Sequence, residues 1–179
     1  MRPAVLFARS DSIYKNINGL EVYDIERDAR NFDGLQPVIA HPPCRAWGCL
    51  KHLARPRHDE RELAHFAVYQ VRKNGGVLEH PAFSSLWLAA GLPMPGQKDG
   101  FNGWTLPIQQ FWFGHPARKN TWLYIVGVEP KNIPSLNFKL GTAEFTIGGK
   151  KEAARSWREK TPDDLAYWLV DLCERINVV

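Results

Sequence analysis

Apolar positions in this chain fall into short dense runs separated by polar punctuation. PAVLF at residues 3–7, LEVY at 20–23, PVIA at 37–40 and GVL at 76–78 read as short strands, most of them buried on both faces. NTWLYIVGV at residues 120–128 is the strongest strand signal of all. Between these runs the period changes. Residues 59–72 open with acids, carry a stripe of Leu63, Phe66, Ala67 and Val71, close on Arg72 and Lys73, and stop at Gly75, which predicts a helix. A last helix is predicted after Thr161 as N-cap and Pro162 at the first position, with Leu165, Trp168, Leu169, Leu172 and Ile176 on its buried face. Shorter helices are expected from Ser12 to about Ile17 and over residues 83–90. Residues 92–104 are loop, rich in Gly and Pro. Residues 105–113 read as strand or irregular, 114–119 as a turn, and 129–160 as loop with a strand at 144–147. Strands alternating with helices predict one α/β domain over residues 1–179, with a mostly parallel sheet flanked by helices.

Composition adds little to this picture but bounds it. A chain of 179 residues, 44% hydrophobic and 23% charged, is that of an ordinary globular domain. No apolar run is long enough to span a membrane, so no membrane partner is expected. Three cysteines, an odd and small number, fit a reducing cytoplasm rather than a disulfide scaffold. The net charge of +4 and the pI near 9.0 mildly favour an anionic partner. The basic stretch Lys51, His52, Arg55, Arg57, His58 and Arg61 reads either as a phosphate contact or as a solvated face.

The chemistry concentrates after the third strand. His41-Pro42-Pro43-Cys44 ends the apolar run, and two prolines fix the backbone direction, so Cys44 sits on a stiff loop at the carboxyl end of a strand. In open α/β sheets that edge is where ligands bind. Asp24 and Glu26 follow the second strand and Glu79 ends the fourth, so three polar sites are expected on one rim. An acid after the second strand takes a ribose hydroxyl or caps the next turn. A thiol and a carboxyl group on one rim suit attack on an electron-poor ring, in which cysteine adds to carbon 6 of a pyrimidine and activates carbon 5.

The order of these motifs resembles the C5 cytosine DNA methyltransferases. Leu6-Phe7, then Gly19-Leu20-Glu21-Val22-Tyr23-Asp24-Ile25-Glu26, is similar to their first two motifs. Pro42-Pro43-Cys44 is similar to their nucleophile motif, Leu78-Glu79-His80-Pro81 to their Glu motif, and Phe113-Gly114-His115-Pro116-Ala117-Arg118-Lys119 to a later basic segment. The resemblance implies a Rossmann-like methyltransferase fold acting on DNA or a pyrimidine nucleotide. It implies Cys44 as nucleophile, Glu79 gripping ring N3, and Arg118 or Lys119 contacting the base. It also implies S-adenosylmethionine as cofactor, held by Phe7, Asp24, Glu26 and Pro43. The family's first loop carries glycines, where this chain has Phe7-Ala8-Arg9-Ser10-Asp11, and about fifty residues follow the last motif. The compact form therefore suits a protein partner that supplies target recognition, in a bacterial or phage-infected cell. Two other readings stay open. One is a non-catalytic module of the same fold that binds DNA or another methyltransferase. The other is a metal site drawn from His41, Cys44, Cys49, His52, His80 and His115.

Overall fold

The computed structural model describes residues 1–49, 51–136, 138–147 and 155–176. Its centre is a six-stranded sheet in the order β2-β1-β3-β4-β6-β5. The strands are β1 (Ala4–Leu6), β2 (Glu21–Tyr23), β3 (Val38–Ala40), β4 (Gly76–Pro81), β5 (Trp104–Gln109) and β6 (Asn120–Val126). β1 pairs parallel with β2 and β3, and β3 parallel with β4. β6 runs antiparallel to both β4 and β5, so it alone is reversed. The sheet is thus mixed, where a mostly parallel one was expected.

Both faces of the sheet are covered, and the alternation of the strands decides which residue goes where. Ala4, Leu6, Val38, Ala40, Leu78 and Tyr124 share one cluster with Ala64, Ala67, Val68 and Val71 of helix α1 (Glu60–Asn74). Val5, Ile39, Val77, Leu123 and Ile125 share the other with Leu165, Leu169 and Leu172 of the last helix (Asp163–Glu174). α1 begins with Glu60 and Glu62 and ends with Arg72 and Lys73, which complements the helix dipole at both ends. Gly75, at φ 75°, then turns the chain into β4.

Several boundaries differ from the sequence expectation. The helix after Ser12 is a single 3-10 turn, Ile13–Asn16, and Ser12 makes no side-chain cap. Helix α2 is only Leu86–Ala89. Residues 105–113 split into β5 and a 3-10 turn, Gln110–Phe113, closed by Gly114 in the left-handed region. Phe145 makes an isolated bridge to Ala117 in place of a strand at 144–147. Within the stretch expected to be loop, a short helix α3 (Arg155–Glu159) forms, and the final helix is α4. It is capped by extended Pro162, one residue later than expected, because the fixed φ of proline sets the entry, and Asp163 and Asp164 place negative charge in the first turn, where the helix dipole favours it.

One close approach fixes β3 against β4. Gly76 faces Val38, and a Cβ built on Gly76 would lie 2.0 Å from the Val38 carbonyl oxygen, at a φ of 131°. Neither the space nor the backbone angle admits a side chain. Gly76→Ala should therefore lower the unfolding free energy by about 3 kcal/mol. Urea denaturation monitored by tryptophan fluorescence measures this.

Candidate functional site

The parallel strands bring their carboxyl ends to one rim, and reversed β6 brings its amino end there too. Phe7, Asp24, His41 and Gln110 directly follow β1, β2, β3 and β5, Lys119 directly precedes β6, and Glu79 lies toward the carboxyl end of β4. The pairing of Ala40 with Leu78 sets His41 level with Glu79.

Glu79 is the hub of this rim. Its side chain is 11% exposed. Gln110 Nε2 donates to Oε1 at 2.8 Å, and His41 Nδ1 lies 3.0 Å from Oε2. His41 Nε2 is 3.1 Å from the hydroxyl of fully buried Tyr14, and Gln110 Nε2 also reaches Thr121 Oγ1 at 3.1 Å. Burial acts to raise the Glu79 carboxyl. The His41 hydrogen bond and the charges of Lys119 and His41 outweigh it and hold the group at about 2. Burial and the Glu79 charge push the Tyr14 phenol well up, so it keeps its proton. Tyr14 thus presents a hydroxyl to His41 Nε2, and His41 Nδ1–H donates to an ionised Glu79.

Cys44 lies beside this network on an exposed loop. Its carbonyl accepts from the Trp47 and Gly48 amides at 3.0 and 2.8 Å, which closes a turn. Trp47 anchors the turn, with its side chain buried in the α1 face of the core. Its carbonyl accepts from Ser85 N and Oγ, both at 3.0 Å, and from Ser84 Oγ at 3.3 Å. The Cys44 loop is thereby tied to the loop that follows β4. Crowding by protein atoms, then the Glu79 carboxylate, push the Cys44 thiol up, while Lys119 pulls it down. Cys44, Glu79 and Lys119 are thus electrostatically joined. Arg118 is exposed, and Lys119 is the basic neighbour whose charge reaches both groups.

At the β2 end the expected cofactor residues are divided. Asp24 is buried and already closed: Oδ1 accepts from Glu26 N at 2.9 Å and Arg27 N at 3.0 Å, and Oδ2 pairs with Lys15. The Lys15 hydrogen bond, then those of the backbone, hold it at about 2. Glu26 and Ile25 are exposed. Phe7 takes a left-handed φ of 63° with its ring edge-on to Phe66, and Pro43 is half-buried. The turn after β1 is fastened by Arg9, which binds Asp11 at 2.8 Å and Glu159 at 3.2 Å. Asp24 is therefore not open to a ribose, and the β1 turn carries side chains where a cofactor cradle needs bare backbone.

The histidines do not converge. His41 serves Glu79. His115 is buried, with its ring bonded to the Ala117 backbone and to the Trp157 carbonyl at 3.0 Å. His80 is fully buried on the opposite face beside Trp87, and neither ring nitrogen has a protein partner. Cys49 Sγ lies 3.9 Å from the carbonyls of Ala82 and Phe83, and His52 is exposed. Among the described residues no three His, Cys, Asp or Glu side chains are placed to share a metal ion. Two grooves, of about 550 and 330 Å³, are lined by residues of α4 and of α1 respectively, and neither is lined by Cys44, Glu79 or Lys119. Sequence reasoning missed Tyr14, Gln110 and Thr121. The available signal was Gln110 itself, a polar residue opening the aromatic run Phe111-Trp112-Phe113.

No family model, no curated protein and no solved structure matches this chain. Among the described residues no helix is long and apolar enough to cross a membrane.

Burial of His80 holds its imidazole down at about 4, against an ordinary 6.5. A depressed base lets the unfolded chain bind the proton first, so its contribution to stability is lost as pH falls from 6.5 to 4. Glu79, depressed from 4.5 to about 2, loses its contribution below that, between pH 4.5 and 2. Each group is worth about 3 kcal/mol by this linkage. Stability should thus decline in two overlapping acid steps. His80→Phe should flatten the upper step and Glu79→Gln the lower, read as unfolding free energy against pH.

Proposed function

We propose that this chain is a transferase acting at carbon 5 of a pyrimidine in DNA or a nucleotide, with chemistry like that of the C5 cytosine methyltransferases. The observation that carries the reading is the joining of Cys44, Glu79 and Lys119 at one rim of the sheet. The architecture is read as Rossmann-like on the strength of its parallel strands and the position of the site at their carboxyl ends.

In this reading the Cys44 thiol gives up its proton to solvent and a bond forms between Sγ and ring carbon 6. The carbon 5–carbon 6 electron pair moves onto the ring, where Glu79 and Lys119 hold the nitrogen and carbonyl edge. Carbon 5 then takes the electrophile. Loss of its proton and departure of the Cys44 thiolate restore the double bond. By the resemblance the electrophile is the methyl group of S-adenosylmethionine. Of the residues assigned to that cofactor, Glu26 is open, with Ile25 exposed beside it, whereas Asp24 is engaged by the Glu26 amide and Lys15. The exposed basic residues Lys51, His52, Arg55, Arg57, His58 and Arg61 follow the Cys44 loop and suit a phosphate backbone.

The test compares cells expressing the intact chain with cells expressing Cys44→Ser. Nucleoside mass spectrometry of DNA and of the nucleotide pool should find a modified pyrimidine only with the intact cysteine, and the added mass identifies the donor. Identical nucleoside profiles from the two would overturn the assignment and favour a non-catalytic binding module.

A further inference from the structure

The rim shows a bias in hydrogen-bonding character. Glu79 receives Gln110 Nε2 on one oxygen and His41 Nδ1 on the other. His41 in turn has the Tyr14 hydroxyl on its second nitrogen, so both side chains that touch the carboxylate meet it as N–H donors. A carboxylate has about four acceptor positions, of which these donors fill two. The next polar atom along is also an acceptor: Gln110 is fully buried, and its Oε1 has no protein donor. What remains open on Glu79 and Gln110 is acceptor capacity alone, and Lys119 supplies the nearby cation.

The two kinds of pyrimidine differ at the edge that meets such a site. A uracil-type ring carries N3–H, a donor, between two carbonyl oxygens. A neutral cytosine carries a bare N3 lone pair next to its exocyclic amine. A carboxylate that takes the amine sets its second oxygen against that lone pair, and burying two acceptors face to face is costly. Resting on the reading of Cys44 as a nucleophile toward pyrimidine carbon 6, we propose that the preferred ring is of the uracil type, recognised through its N3–H by Glu79, and not neutral cytosine. The low position of the Glu79 carboxyl agrees with this, since the His41 hydrogen bond and the Lys119 charge oppose its protonation.

Hydrogen exchange at carbon 5 reads the base without any methyl donor. Cys44 adds to carbon 6, carbon 5 takes a deuteron from heavy water, its original proton leaves to solvent, and the thiolate departs, so the ring returns with deuterium in place of hydrogen. The full chain is incubated in heavy water with deoxyuridine or deoxycytidine monophosphate, and with single-stranded oligonucleotides carrying one uracil or one cytosine. Loss of the carbon 5 proton is followed by NMR. The expected result is exchange in uracil roughly 10- to 100-fold faster than in cytosine, in line with a charged hydrogen bond gained or lost, and abolished in Cys44→Ser. Glu79→Gln, whose amide can also donate, should narrow or reverse that ratio; an unchanged ratio in a folded variant overturns the role given to Glu79. If the variant does not fold, the wild-type ratio decides alone. Cytosine exchanging as fast as uracil, or faster, overturns the base assignment and leaves the nucleophile standing. Exchange in neither ring overturns the base assignment and the nucleophile together.

Discussion

The Glu79 carboxylate, nearly enclosed and ionised, is the constraint on which this rim depends. A charge in that position costs several kcal/mol unless it is paired and hydrogen-bonded. The chain meets the requirement with groups from separate elements: His41 just past β3, Gln110 just past β5, and Lys119 just before β6. Removing one of them leaves a charge underpaired, so the side chains of the site also report on the alignment of the strands. That alignment begins at Gly76 and Val38, where contact is so close that no Cβ fits. From there the register runs along β3 and β4 until His41 stands level with Glu79.

The Cys44 loop is held by a different device. Pro42 and Pro43 restrict it on one side, and on the other the Trp47 carbonyl collects three hydrogen bonds from Ser84 and Ser85. Those serines follow β4 directly. The thiol and the carboxylate are therefore referenced to the same strand, one through its side chain and one through the loop beyond it, and their separation is built in before any ligand arrives. Phe83, in the same loop, takes a left-handed φ of 60° while staying exposed, and its ring packs on Trp122 at 4.9 Å.

What could be read in the sequence was local. Buried strands announced themselves as apolar runs, and α1 through its stripe and its charged ends. Because strand ends locate the rim, the positions of Cys44 and Glu79 were legible too. Their partners were not. Tyr14 reaches His41, Gln110 reaches Glu79 and Thr121 reaches Gln110 only through contacts between elements far apart in sequence, and no local pattern encodes such a meeting. The two readings of Asp24 stayed open for a related reason. An acid after the second strand was legible as a type of position, but whether it faces a ligand or folds back onto the amides of residues 26 and 27 depends on Lys15, which arrives from the turn before β2. Nor does the sequence say where each histidine goes: alternation along β4 sends His80 to the face opposite Glu79, beside Trp87, while His41 meets Glu79.

The electrostatics of the free protein set a resting state. Crowding by protein atoms, then Glu79, raise the Cys44 thiol and Lys119 lowers it, and the net direction is up, toward the protonated, less nucleophilic sulfur. In the proposed reaction the incoming ring changes that balance. A ring N–H bonded to Glu79 draws the carboxylate's charge toward itself and away from the sulfur, while the ring displaces water and strengthens the field of Lys119. Both changes favour the thiolate at the moment carbon 6 is within reach. In that proposal the carboxylate that raises the Cys44 thiol in the free protein is also the group that meets the base, which would couple recognition of the ring to activation of Cys44 without a separate general base. That coupling also accounts for a solvent-exposed cysteine placed beside an acid that opposes its ionisation: exposure alone would leave it open to adventitious oxidation, and the acid holds it as the less reactive thiol until a substrate is bound.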